Sequence, residues 1–203
     1  MSSRAIPELE VPVGVQLAPV DVTKPSGVRI KAFSLLALEE VTTAKFGAGV
    51  VAEWRKSVAF DFASMTATAW IPVEYRYHLV EFLVARYFDG DPHRASELGS
   101  LVGKKEINGF FRFVMQFTSP SLVLGMSSRF WRSYYDRSEF AVVESGPGFV
   151  HAEIRDWPLT NAAVAYELAG ALREWLLASR ANDLKVVRLA WVKQGLLRLE
   201  SVW

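Results

Sequence analysis

The chain of 203 residues reads as an α+β protein. Three observations carry that reading. Apolar residues recur at helical spacing between Val28 and Tyr135, the period drops to two from Phe140 onward, and the closing stretch runs hairpin, helix, hairpin. The expected architecture is an N-terminal half, residues 28–138, that is mainly helical, followed by a ββαββ module, residues 139–203. The module's antiparallel sheet should pack on helices, making residues 28–203 one domain, with residues 1–27 as a proline-rich arm.

In that arm Pro7, Pro12, Pro19 and Pro25 break any long element, so the alternation Val11, Val13, Val15, Leu17 supports at most an edge strand. From Val28, the positions Ile30, Phe33, Leu36, Ala37 and Val41 predict a helix ending near Phe46-Gly47, and Val50, Val51 and Trp54 predict a second. Pro72 at a first-turn position opens a third helix through Val73, Tyr77, Val80, Val84 and Tyr87, closed by Asp89-Gly90-Asp91. Pro92 opens a short helix over 92–102. A further one is expected over 104–117, with Ile107, Phe110, Phe111, Val114 and Phe117 inward, stopping at Ser119-Pro120. Ser121 to Tyr135 completes the helical half.

The first hairpin is Phe140, Val142 and Glu144 alternating with Ala141 and Val143, a Ser145-Gly146-Pro147-Gly148 turn, and the return strand FVHAEIRDW. A helix over Asn161–Arg180 follows, with Ala165, Leu168, Ala169, Leu172 and Leu176 in a stripe, Thr160 as its cap and Asn182 at its exit. Gly170 inside it costs about 1 kcal/mol against alanine, which points to a close backbone approach. The last hairpin sets Val187, Leu189 and Trp191 against Leu197, Leu199 and Trp203 around Lys193-Gln194-Gly195.

Composition narrows function by exclusion. With 51% apolar and 22% charged residues, a chain of this length buries a core without a metal or disulfide staple. A net charge of +1 lacks the surplus that nucleic acid or anionic lipid demands. Without cysteine there is no disulfide, thiolate nucleophile, iron–sulfur cluster or cysteine-bound zinc. The start, MSSRAIPELEVPVG, holds no secretory apolar run, and no segment approaches about 18 uninterrupted apolar residues, so a soluble cytoplasmic protein without a transmembrane segment is expected.

Chemical motifs fail in context. Gly47-Ala48-Gly49-Val50-Val51-Ala52 matches a dinucleotide fingerprint as a string but follows a helix rather than a strand, so it reads as a helix corner. His78, His93 and His151 share no metal-binding spacing. His78, near Glu74 and Glu81, reads as a solvated neighbour on a helix face. Gly125-Met126-Ser127-Ser128-Arg129 lacks the second glycine of a nucleophile elbow. Asp89 and Asp91 bracket a turn. No group is nominated for acid–base or nucleophilic work, so no catalytic, cofactor-binding or metal residue is assigned and a non-enzymatic chain is expected.

Two sets remain. Phe110, Phe113, Phe117 and Trp131 are candidates to line an apolar ligand pocket, a spacing that also serves plain core filling. Arg129, Arg132 and Arg137, interleaved with Phe130, Trp131, Tyr134 and Tyr135, make a candidate interaction patch centred on Arg129, Arg132, Tyr134 and Arg137. The same pattern describes a helix whose aromatics pack inward while its arginines stay in solvent.

The phrases FDGDPHRASELG, FTSPSLVLGMSSRFWRSYYDRSEFAVV and the closing LESVW together resemble a large group of bacterial proteins of this length, numerous in myxobacteria. Through them the chain is similar, over residues 28–203, to the fold shared by haem-based nitric oxide and oxygen sensors, 4-vinyl-reductase-type ligand domains and the Golgi-tethering TRAPP subunits. KAFSLLALEEVTTAKFGAGVVAEW resembles the opening helices of the haem sensors. Those sensors carry a proximal histidine before the hairpin and a Tyr-x-Ser-x-Arg clamp. Here residues 104–140 hold no histidine, and YYDRSEF departs from the clamp. The cysteines of the other two groups are absent as well. The resemblance therefore implies a sensory or regulatory module, without a cofactor, that binds a small hydrophobic ligand or a protein partner. A dimeric interaction scaffold is its first alternative and a haem-based gas sensor its second.

Overall fold

The computed structural model describes residues 8–107, 120–179 and 186–203, with the backbone alone for 120–125, 186 and 187. In chain order the elements are β1 (Glu8–Glu10), β2 (Arg29–Lys31), α1 (Ala32–Phe46), α2 (Ala48–Ser57), β3 (Trp70–Pro72), α3 (Val73–Tyr87) and α4 (Ala95–Glu106). They continue with α5 (Pro120–Tyr134), β4 (Glu139–Gly146), β5 (Phe149–Arg155), α6 (Ala162–Ala178), β6 (Val186–Lys193) and β7 (Leu196–Val202). The α+β class stands, with helices first and two hairpins flanking a helix last.

The hairpins join through their inner strands. β5 pairs antiparallel with β7, which puts the strands in the order β1-β6-β7-β5-β4, with β1 parallel to β6 at one edge. Alternation decides the two faces of this sheet. Val150, Ala152, Ile154, Leu189, Trp191, Leu197 and Leu199 are buried beneath the helices. The opposite register carries charge, with Glu153 taking Arg198 and Arg155 at 3.0 Å each.

Helices α4 and α6 cross at backbone distance. A methyl group at Gly99 would stand 1.9 Å from the Glu167 carbonyl oxygen, and one at Gly170 would stand 2.1 Å from that of Ser96. No side chain larger than hydrogen fits at either point, which accounts for a helix-interior glycine in α6. The crossing draws Glu106 and Glu167 toward the same side of the core.

Several local expectations are corrected. The helix expected from Val28 starts at Ala32, because Arg29–Lys31 pairs instead with Trp70–Pro72, Ile30 opposite Ile71. Pro72 is accordingly the cap of α3 and the end of β3. The edge strand lies at Glu8–Glu10, ahead of the valine alternation. Pro92–Arg94 is a 3-10 turn and α4 runs on to Glu106, so residues 104–106 belong to α4. The rest of the helix expected over 104–117 lies outside the described residues, apart from a buried Ile107. Asn161, whose Oδ1 accepts from the Val164 amide at 3.1 Å, caps α6 in place of Thr160, and the Asn182 exit lies outside the described residues. The Gly47 string is a helix corner: its φ of 97° separates α1 from α2.

Candidate functional site

Between the helical layer and the sheet lies a cavity of about 130 Å³. α5 forms one wall. Its helical period turns Phe130, Trp131, Tyr134 and Tyr135 inward and leaves Arg129 and Arg132 exposed. Phe140 of β4 and Trp175 of α6 add two further rings, while Ile154, Leu168, Leu172 and Leu199 supply aliphatic surface.

The opposite wall is ionic. Arg76, 4% exposed on α3, donates from Nη1 and Nη2 to Glu167 of α6, itself fully buried, at 3.0 and 2.7 Å, and from Nε to Ser34 Oγ at 2.9 Å. Burial is the largest influence and works against the guanidinium's charge, but the charge and hydrogen bonds of Glu167 together with Tyr77 and Tyr135 more than offset it and hold Arg76 well above its ordinary range. The guanidinium also covers the Tyr77 ring at 4.6 Å. Tyr77 and Tyr135 share a hydroxyl hydrogen bond of 2.8 Å, and Tyr135 stacks on Trp131 with ring centroids 4.2 Å apart. A buried polar chain thus runs from Glu167 through Arg76 and continues beside the tyrosine pair.

Glu106 closes the ring of polar groups. It stands in the last turn of α4, where the carbonyl end of the helix already disfavours negative charge. Burial pushes its carboxyl up to about 7, with Arg76 opposing, Glu167 assisting and the neighbouring Tyr134 hydroxyl opposing. Burial and Glu106 together push the Tyr134 hydroxyl well above the usual tyrosine range, and burial does the same to Tyr135, so both stay protonated.

Of the residues nominated from sequence, Trp131 stands in the cavity wall, whereas Phe110, Phe113 and Phe117 lie outside the described residues. In the nominated patch Arg129, Arg132 and Arg137 are exposed. Tyr134 is a correction: it faces the cavity, because it sits three and four residues from Trp131 and Phe130 on the inner side of α5. The residues missed are Ser34, Arg76, Glu106, Glu167 and Trp175. Arg76 and Glu167 carried a signal, each being a charge inside an apolar helical stripe, and such charges are buried only when paired.

The three histidines lie away from the cavity. His78 is a second correction: it is half-buried rather than solvated, and its Nδ1 accepts from the buried Trp54 indole at 3.1 Å, with desolvation lowering its pKa. Its neighbours Glu74 and Glu81 are occupied by the Ser26 and Val20 amides. His93 lies 4.4 Å from the Tyr166 ring, and His151 pairs with Glu144 on the sheet's charged side. Among the described residues no three carboxylates or imidazoles cluster as a metal site. None of the described helices is long and apolar enough to cross a membrane.

Solved structures share this arrangement. An Fe(II) unliganded H-NOX protein from K. algicida superposes with a TM-score of 0.64 at 11% identity, covering 85% of this chain and 96% of that one. The H-NOX protein from S. oneidensis in its Fe(II)NO state gives 0.62 at 11%, covering 85% and 98%. The fold is H-NOX-like. An oxygen-binding H-NOX domain related to soluble guanylate cyclases, solved as its oxygen complex, matches at 0.58 and 14%, covering 85% and 93%. No family model matches the chain, and no curated protein matches it.

Proposed function

We propose that this chain is a non-enzymatic sensory module whose cavity holds a small, largely apolar ligand. The observation that carries the reading is the cavity itself, about 130 Å³ walled by six aromatic rings at the seam of an H-NOX-like fold. A void of about 150 Å³ lined by apolar side chains accommodates benzene, so the volume suits a single ring. The non-enzymatic part is supported by the state of the polar groups. Arg76, Glu167 and Ser34 are tied to one another and Tyr134 and Tyr135 are held protonated, so none of these five is poised as base or nucleophile. Glu106, the one wall group that titrates near neutrality, has no nucleophile beside it among the described lining residues.

The H-NOX proteins it resembles are described in their Fe(II), NO and oxygen states, which raises haem as a ligand for this chain. The donor set does not fit it. Iron in haem proteins takes histidine, thiolate, methionine or tyrosinate, and the described cavity wall offers only tyrosines kept protonated by burial.

The test is titration of the full chain with benzene and toluene, followed by ligand-induced shifts in aromatic NMR resonances and by thermal stability. Saturable binding with a raised midpoint is expected. Leu172→Trp, which fills the cavity, should abolish binding while leaving circular dichroism unchanged, with Leu172→Phe as the milder version. Absence of saturable binding to the unmodified chain overturns the proposal.

A further inference from the structure

The cavity pairs an aromatic wall with an acid in its lining, Glu106, that among the described residues has no counter-charge of its own. Among the described residues, the charges acting on Glu106 are Arg76 of α3 and Glu167 of α6, and these two already match each other through two hydrogen bonds. From α5 the Tyr134 hydroxyl stands beside it and favours its ionised form. The neighbouring lysines are paired elsewhere, Lys105 with the exposed Glu40 and Lys104 with the buried Glu174 of α6. When Glu106 ionises, the described lining of the cavity therefore holds two carboxylates and one guanidinium.

Resting on the reading of this cavity as a ligand site, we propose that its ligand is a benzene-sized organic cation, with a protonated amine at Glu106 and an apolar body against Phe130, Trp131 and Trp175. Two independent features select that class. A carboxylate in a desolvated wall forms a charge-assisted hydrogen bond to an ammonium and restores neutrality. Aromatic faces attract the same cation through their quadrupoles and more strongly where water is excluded. An anionic ligand of the same size meets two carboxylates across the cavity, so its own charge works against it. A neutral hydrocarbon gains only the apolar walls.

The arrangement couples amine binding to protons. Glu106 is half-protonated near neutrality, so the amine binds the ionised form and expels a proton below that point. Affinity for the amine should rise from pH 5.5 to pH 8, while affinity for a neutral ring of equal size should not.

Calorimetry on the full chain with benzylamine, toluene and benzoate at both pH values tests this. At pH 8 benzylamine should bind at least roughly tenfold more tightly than toluene, in line with a hydrogen bond to a charged group. That advantage should shrink at pH 5.5, and benzoate should not bind. In Glu106→Gln the preference should vanish while toluene affinity is retained. If toluene binds but benzylamine binds no better, the amine assignment falls and the cavity reading stands. If the preference persists in Glu106→Gln or shows no pH dependence in the unmodified chain, Glu106 is not the receptor and the assignment falls. If neither ring binds, both fall.

Discussion

Glu106 makes the protein's stability depend on pH in a direction opposite to an ordinary salt-bridged acid. Its carboxyl sits at about 7 when folded against 4.5 for a free glutamate, so the folded chain holds a proton that the unfolded chain gives up. Stability from this group is intact below about 4.5 and erodes as pH rises through about 7. Glu106→Gln should accordingly raise the free energy of unfolding at pH 8, by up to about 3 kcal/mol, and change it little at pH 4.5. Urea unfolding at the two pH values reads the difference. Arg76 responds differently. Arg76→Met strands the fully buried Glu167 carboxylate and should cost about 3–5 kcal/mol, whereas adding Glu167→Leu should return most of that loss. Of these residues, sequence pattern pointed to Trp131 and left a visible trace at Arg76 and Glu167. Glu106 gave none, since its neighbours Arg76, Tyr134 and Glu167 arrive from three other helices and a last-turn acid beside two lysines looks solvent-exposed.

Among elements, the α4–α6 crossing is the tightest joint. Gly99→Ala or Gly170→Ala would gain about 1 kcal/mol of helix propensity but place a methyl within about 2 Å of a facing carbonyl. The helices must then separate, and a net loss of roughly 1–3 kcal/mol is expected in chemical denaturation. Gly49→Ala, in α2 with nothing within 4 Å of the added methyl, should be neutral or stabilising by up to about 1 kcal/mol. Elements with a long, regular period were legible: α3, α6 and both hairpins fell where their alternation put them. The misses were short and non-local. Ile30 fits a helical stripe as well as a strand, and only its partner Ile71, brought back by the chain, makes it a strand. Asn161 displaced Thr160 as cap by a single position, a choice set by its second pair of contacts, to the Ala18 carbonyl and Glu81.

For the whole molecule, the chain reaches an H-NOX-like architecture at 11–14% sequence identity to the solved structures it resembles. The α+β class and the hairpin-helix-hairpin order were readable because they rest on period alone. The seam between the halves was not, since a cavity is a property of where layers fail to touch. A chain expressed with excess haem and purified should show no absorption band of bound porphyrin, and its appearance would sink the reading of the site as iron-free. The contacts of α3 reach beyond the cavity. This helix presents Arg76 to the cavity, and with Glu74 and Glu81 it grips the Ser26 and Val20 amides of the N-terminal segment. That segment leads back to β1, hydrogen-bonded along the sheet edge. One helix thus bears on both the chamber wall and the segment that leads to the sheet edge, joining through Arg76, Glu74 and Glu81 two parts of the molecule that are not adjacent in sequence.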